Sequence, residues 1–169
     1  MPAEAAVPAD TEAFMRRLLV ELAASLEGTI GPEEAAGYIG LAAQRMGDEL
    51  GSHRPRGPLG PERIAAALID LYRGIDGDLR LVSCDGGRIV LANLACPFGD
   101  GVRGREALCT MTSGLAGDLA ARHTGYARVD LAETIARGRP RCLIEISLRP
   151  GPDDGPGEEY YGPGADGPC

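Results

Sequence analysis

The sequence contains no tryptophan, only two phenylalanines and no lysine. A core must therefore be assembled from Leu, Ile, Val and Ala. A phosphate-binding P-loop is excluded, because it needs a lysine. The 17 cationic residues, all arginine, are outnumbered by 25 acids, giving a net charge of −8 spread over both halves of the chain. No segment offers the positive field that nucleic-acid binding requires, so direct contact with DNA or RNA is not expected. No apolar run approaches the roughly 20 residues of a membrane span. The opening "MPAEAAVPAD" lacks the basic start and apolar core of a signal peptide, so a cytoplasmic chain away from the membrane is expected. There is no G-x-S-x-G, no HExxH and no Ser/His/Asp constellation, and "GDGVRG" does not follow the strand–GxGxxG–helix rule. A non-enzymatic protein is the expectation.

What is present is a change of period along the chain. "ADTEAFMRRLLVELAASLEG" has an N-cap at Asp10 or Thr11 and a broad apolar stripe of Phe14, Met15, Leu18, Leu19, Leu22 and Leu26, with Gly28 as its end. Pro32 starts a second, Ala/Gly-rich helix with the stripe Ala35, Ile39, Ala42, Ala43, Met46 and Leu50. "PERIAAALIDLYRG" is a third, with Ile64, Leu68, Leu71 and Tyr72 on one side. The period then falls to 2. "DLRLVSC" and "RIVLAN" flank Asp85-Gly86-Gly87, the pattern of a hairpin. "REALCTMTSGLAGDLAARH" returns to helix, and "GYARVDLAETIA" and "RCLIEISL" are two further strands. The order ααα-ββ-α-ββ predicts an α+β fold with a mostly antiparallel sheet. One domain over 10–149 is expected, with a helical layer over about 10–75 and a ββαββ part over about 78–149. Residues 1–9 and the acidic, Gly/Pro-rich 150–169 are expected to be disordered.

Five cysteines stand at 84, 96, 109, 142 and 169. An odd count in a reducing compartment argues for thiols, metal ligands or redox sensors rather than full disulfide pairing. The spacing is not that of a zinc knuckle, so any convergence has to be tertiary. Cys84 and Cys96 fall at opposite ends of the predicted hairpin, which makes Cys84 the weakest member of a cluster. Cys96, Cys109 and Cys142 fit together better. Pro97 stiffens the loop after Cys96, and Gly99, Gly101 and Gly104 let it bend, with Phe98 between them. Cys109 lies in the first turns of the fourth helix, where the dipole is expected to lower its pKa. Cys142 alternates with Ile144, Ile146 and Leu148 and so faces the core. Three thiolates are a donor set for zinc or an iron–sulfur cluster. The plain alternative is that each is a small buried hydrophobe. Cys169, in the tail, is read as incidental. Neither His53 nor His123 has the spacing of a metal ligand, and His123 is expected to complement a helix C-terminus.

"DGGRIVLANLACPFG", "LCTMTSGLAGDLAA" and "GYARVDLAETIARGRPRCLIEISL" together resemble the methanogen output domain 1 family, small α+β domains of signalling proteins. The likeness covers about residues 10–149. The chain is also similar, more distantly, to the C-terminal sensor halves of winged-helix repressors of iron–sulfur biogenesis, and to vinyl-4-reductase-type ligand-binding domains. The repressor likeness implies Cys96, Cys109 and Cys142 as cluster ligands. It does not carry DNA binding with it, because the N-terminal third is acidic and has no winged-helix pattern.

Three functions stay open on this reading. One is a signal-transduction domain that senses redox state, a metal or a cluster through Cys96, Cys109 and Cys142 and passes the signal to a protein partner or a second copy. The second is a domain that binds a small apolar ligand between helices and sheet. The third is a ligand-free interaction module that dimerises through its second helix.

Overall fold

A computed structural model of the chain describes residues 10–52, 57–151 and 155–163. The expectations for residues 1–9, His53 and Cys169 lie outside the described residues. Among the described residues, four helices and five strands follow one another as α1 (Thr11–Ile30), α2 (Pro32–Ser52), α3 (Pro61–Arg73), β1 (Leu79–Asp85), β2 (Arg88–Asn93), α4 (Cys109–Thr124), β3 (Tyr126–Glu133), β4 (Cys142–Ser147) and β5 (Glu158–Tyr161). Two short 3-10 turns, Gly99–Val102 and Glu106–Leu108, lead into α4. The α+β architecture is the one the change of period predicts.

Local chemistry accounts for most boundaries. The Asp10 side chain accepts a hydrogen bond from the Ala13 N–H, which caps α1. The helix runs through Gly28 and stops at Gly31, so the expected end falls three residues early. Pro32 and Pro61 open α2 and α3, where a missing N–H is harmless. Gly86-Gly87 closes the β1–β2 hairpin with Asp85 opposite Arg88.

The sheet order is β1-β2-β4-β3-β5, and every pair is antiparallel. β4 is the central strand. One face of the sheet, with Ile89, Leu91, Val129, Ile144 and Ile146, packs against Ile64, Leu68 and Tyr72 of α3 and Leu119 and Ala120 of α4. α2 lies on the far side of α4, where Ala43 comes so close to Gly114 that a Cβ there would sit 2.9 Å away. α1 is outermost, pairing with α2 and touching the two 3-10 turns.

Two features depart from the sequence expectation. The tail expected to be disordered contributes β5, which pairs with β3 from Tyr126–Tyr161 to Val129–Glu158. Tyr160 of β5 lies over Gly117 of α4, and only a residue without a side chain leaves room for its ring. The apolar stripe of α1 also faces outward. α1 buries Val20 and Ala23, while Phe14, Met15, Leu18, Leu19 and Leu22 are 39–55% exposed.

Candidate functional site

Cys96, Cys109 and Cys142 come from three separate parts of the chain and pack against one apolar cluster of Val20, Ala23, Val102, Leu108, Ile135 and Ala136. Cys84 does not join them. It packs against the main core at the turn end of the β1–β2 hairpin, paired in register with Ile89. All four described cysteines are free thiols of intermediate exposure.

Each of the three is placed by its own element. Cys96 follows β2, and its carbonyl accepts from the Gly99 N–H at 2.8 Å, closing a turn over Pro97 and Phe98. Gly99 has φ 64° there, a conformation that favours glycine. The backbone N–H of Phe98 donates to the Cys96 sulfur. The chain then curls under α1. Gly101 sits so close to Val20 that a Cβ would be 3.1 Å from its nearest methyl, and the N–H of Gly104, at φ 75°, donates to the Ala136 carbonyl at 2.8 Å. Cys109 is the first residue of α4. Cys142 is the first residue of β4, and its Sγ accepts from the Ile135 N–H at 3.4 Å. The expected strand over 125–136 stops at Glu133, and the turn that follows supplies this donor. Pro97, Phe98, Gly99, Gly101 and Gly104 thus all lie in the segment that joins Cys96 to Cys109 beneath α1.

The electrostatics correct one expectation. Burial, and then the neighbouring Cys142 and Cys96, push the Cys109 thiol up to about 12. Its position at the helix start is therefore outweighed by desolvation and by the other sulfurs. Burial likewise raises Cys96 and Cys142, although each receives a backbone N–H that works in the opposite direction. Cys142 also opposes the ionisation of Cys96, and both oppose that of Cys109.

The donor set fits a thiophilic ion or cluster in chemistry: three sulfurs, two of them already facing backbone N–H groups that stabilise a thiolate. Among the described residues, no group of three or more His, Cys, Asp or Glu side chains is gathered closely enough to hold a metal ion. His123 lies elsewhere. It is buried in the last turn of α4, and its Nδ1 donates to the Gly57 carbonyl at 2.7 Å.

Residues outside the cysteine pattern complete the surroundings. Arg137 pairs with Glu106 at 2.8 Å and lies near enough to Cys109 to ease its ionisation. Arg16 of α1 does the same for Cys96. Tyr72 of α3 is 1% exposed, and its phenol is close enough to all three thiols that each adds to the cost of a phenolate. The sequence shows Tyr72 as one more position on the apolar side of α3. Its hydroxyl, on an otherwise aliphatic face, was the available signal.

A groove of about 500 Å³ opens on the other side of the Pro97-Phe98 turn, lined by Met15, Leu19, Met46, Leu50, Phe98 and Met111 among others. Among the described residues, no helix is long and apolar enough to cross a membrane.

A search of curated proteins returns no match for this chain. The family model described as methanogen output domain 1 matches residues 18–147, a span that starts within α1, runs to the last residue of β4 and contains all three clustered cysteines. With most of its length so matched, the chain belongs to the methanogen output domain 1 family, a family of signalling output domains.

Proposed function

We propose that this domain is a non-enzymatic cytoplasmic sensor whose input site is the thiol pocket of Cys96, Cys109 and Cys142, and whose output surface is the outer face of α1. The observation that carries the reading is the packing of three thiols from three elements against one apolar cluster, two of them facing backbone N–H donors. Burial holds all three thiols in the protonated form, and Cys142 and Cys96 add to that at Cys109. A zinc ion or an iron–sulfur cluster would replace their protons and turn mutual repulsion into shared attraction. Because the described thiols are not gathered closely enough to hold a metal ion as they stand, loading would have to draw the sulfurs of Cys96, Cys109 and Cys142 inward and with them the segment between Cys96 and Cys109. Oxidation of the same thiols would act on the same segment.

That segment is what α1 rests on, through Val20 against Gly101 and Glu27 against the Ala107 N–H. A change in the pocket therefore shifts α1. The occupant of the α1 face is a second copy of the chain. Phe14, Met15, Leu18, Leu19 and Leu22, with Met46, Leu50 and Ile75 across the groove, are 37–55% exposed. At about 200 Å² for a fully exposed side chain of this size, they leave roughly 700 Å² open, close to the ~800 Å² each partner gives to a stable interface. A monomer seldom shows so large a patch. Glu12, Arg16, Arg17 and Glu21 flank the stripe with both signs of charge, which suits antiparallel pairing with itself.

The test is protein purified without oxygen, with Cys109→Ser alongside. A visible band with iron and sulfide, or stoichiometric zinc without colour, lost in the variant, supports the thiol pocket. Metal-free wild-type protein that takes up neither zinc nor iron with sulfide overturns it. Sedimentation equilibrium tests the output surface. A dimer supports it. A monomer overturns it and gives the groove to a small apolar ligand or a different protein.

A further inference from the structure

A cleft of about 460 Å³ lies between the N-terminal half of α1 and the chain from Phe98 to Arg105. Ala13, Val20 and Phe98 give it an apolar part, and Arg16, Arg17 and Arg105 a cationic one. In a chain of net charge −8, this lining sets three arginines against two acids, Glu21 and Asp100. The Asp100 side chain is 98% exposed and reaches into solvent, and Glu21 is held by Arg17 at 2.8 Å.

The arginines are not equivalent. Arg16 bonds Glu12 at 3.1 Å and Asp76 at 2.9 Å, and Arg17 is matched by Glu21. Arg105 has no such partner. Its Nε–H is buried and finds no acceptor among the described residues, and its Nη1 stands 3.9 Å from Glu27, beyond hydrogen-bond reach. Arg122 also has an unpartnered Nε, but Asp48 and Asp118 each hold its Nη2 at 2.8 Å. A buried donor left unpaired is a cost to the fold, and an anion that accepts from it removes that cost. The Arg105 side chain is 34% exposed, so its guanidinium can turn towards the cleft and give up only the long contact to Glu27.

The lining selects among anions. One surplus positive charge suits one negative charge. A phosphate, with close to two, would meet Glu21 and Glu27 without a matching cation. The edge of a guanidinium matches the paired oxygens of a carboxylate. The apolar residues beside it suit an organic body rather than a bare ion.

We propose that this cleft binds a small organic carboxylate, with Arg105 anchoring the head group and Ala13, Val20 and Phe98 covering the apolar part. Its lining comes both from α1 and from the segment after Cys96, so a bound carboxylate clamps the two together. The proposal does not depend on the thiol pocket being an input site.

The experiment titrates the full chain, labelled with nitrogen-15, with benzoate at constant ionic strength and follows the backbone amides by NMR. Benzyl alcohol and inorganic phosphate are the neutral and the inorganic comparisons. Benzoate should give saturable shifts around Ala13, Val20, Gly99 and Arg105, and slow amide exchange in the first half of α1. Arg105→Gln should weaken its binding about tenfold or more, the worth of one hydrogen bond to a charged group. Arg105→Lys keeps the charge and loses the fork, and should fall between. Ala13→Leu fills the apolar part and keeps every arginine, so its weaker binding tests the cleft even where Arg105→Gln does not fold. Cys109→Ser should bind benzoate like wild type, which separates this site from the thiol pocket. No saturable shift, or shifts only outside the cleft, overturns the proposal. So does benzoate binding that Arg105→Gln and Ala13→Leu leave unchanged. Phosphate or benzyl alcohol bound as tightly as benzoate overturns it too, the first by removing the organic body from recognition and the second by removing the charge.

Discussion

The carboxylate of Glu27, near the end of α1, accepts a hydrogen bond from the backbone N–H of Ala107 at 3.3 Å, and its other oxygen lies 3.9 Å from Arg105. The two residues are 80 positions apart, and Ala107 is two residues before Cys109. Glu27 is therefore the polar link between the outermost helix and the segment that carries the thiols. Replacing it with Ala leaves the Ala107 N–H unpaired beneath α1, at a cost of about 1–3 kcal/mol. Urea unfolding should show that loss, with Glu27→Gln keeping most of the stability. If α1 reports on the pocket, Glu27→Ala should also give one oligomeric state whether or not the protein is loaded.

The thiols set the response of the metal-free protein to alkali. Cys109 is raised to about 12 in the fold, from an ordinary value near 9, and Cys96 and Cys142 are raised as well. The unfolded chain loses these protons first. Their contribution is fully present below about pH 8.5 and is lost as pH rises towards the folded value, at up to about 1.4 kcal/mol per pH unit for each thiol. Urea midpoints should be level between pH 7 and 8 and fall between pH 9 and 10, before tyrosine ionisation adds to the decline. Cys109→Ala should flatten that fall, and a midpoint that rises over this range would contradict the burial of these sulfurs.

The α1 face gives a separate test. Leu18 and Leu22 are 39% and 52% exposed and make no part of the buried core. The double variant Leu18→Glu/Leu22→Glu should be monomeric in sedimentation at concentrations where wild type is dimeric. The isolated domain should lose no more than about 0.5 kcal/mol, as befits surface substitutions.

β5 depends on one small residue. Gly117→Ala would place a methyl against the Tyr160 ring, so β5 must lift or α4 must shift. A destabilisation of about 1–3 kcal/mol is expected, as for other overpacked sites. Truncation after residue 155 in the same background should restore part of it, and amide exchange along β3 should speed up in both. Gly37→Ala, on an open stretch of α2 with nothing within 4 Å of the new methyl, should instead stabilise by about 0.5–1 kcal/mol.

Most of the fold was legible because its signals are local. Pro32, Pro61, Asp10 and Asp85-Gly86-Gly87 each fix a boundary through their own backbone chemistry. The separation of Cys84 from Cys96 was legible for the same reason, since a tight hairpin turn must separate its two ends. What failed was tertiary. Periodicity shows that α1 has an apolar side, and does not show whether the chain itself covers it. "EEYY" is four residues in a tail of glycine, proline and acid, and its strand exists because Gly117 leaves space for Tyr160. The helix-start argument for Cys109 was sound as far as it went, but it could not weigh the burial and neighbouring sulfurs that only the folded chain supplies.

The two outer strands of the sheet guide how copies of the chain can meet. On one side, β5 ends the sheet as a four-residue strand bearing Glu158 and Glu159. On the other, β1 carries a register shift between Leu81 and Ser83, with Arg80 on its surface. A short acidic border and a kinked one both discourage a neighbouring molecule from adding its own strands. Growth by strand addition, the common route from apolar β surfaces to insoluble fibres, is hindered at both ends. A domain built this way can leave an apolar helix open to solvent and still assemble as a closed pair.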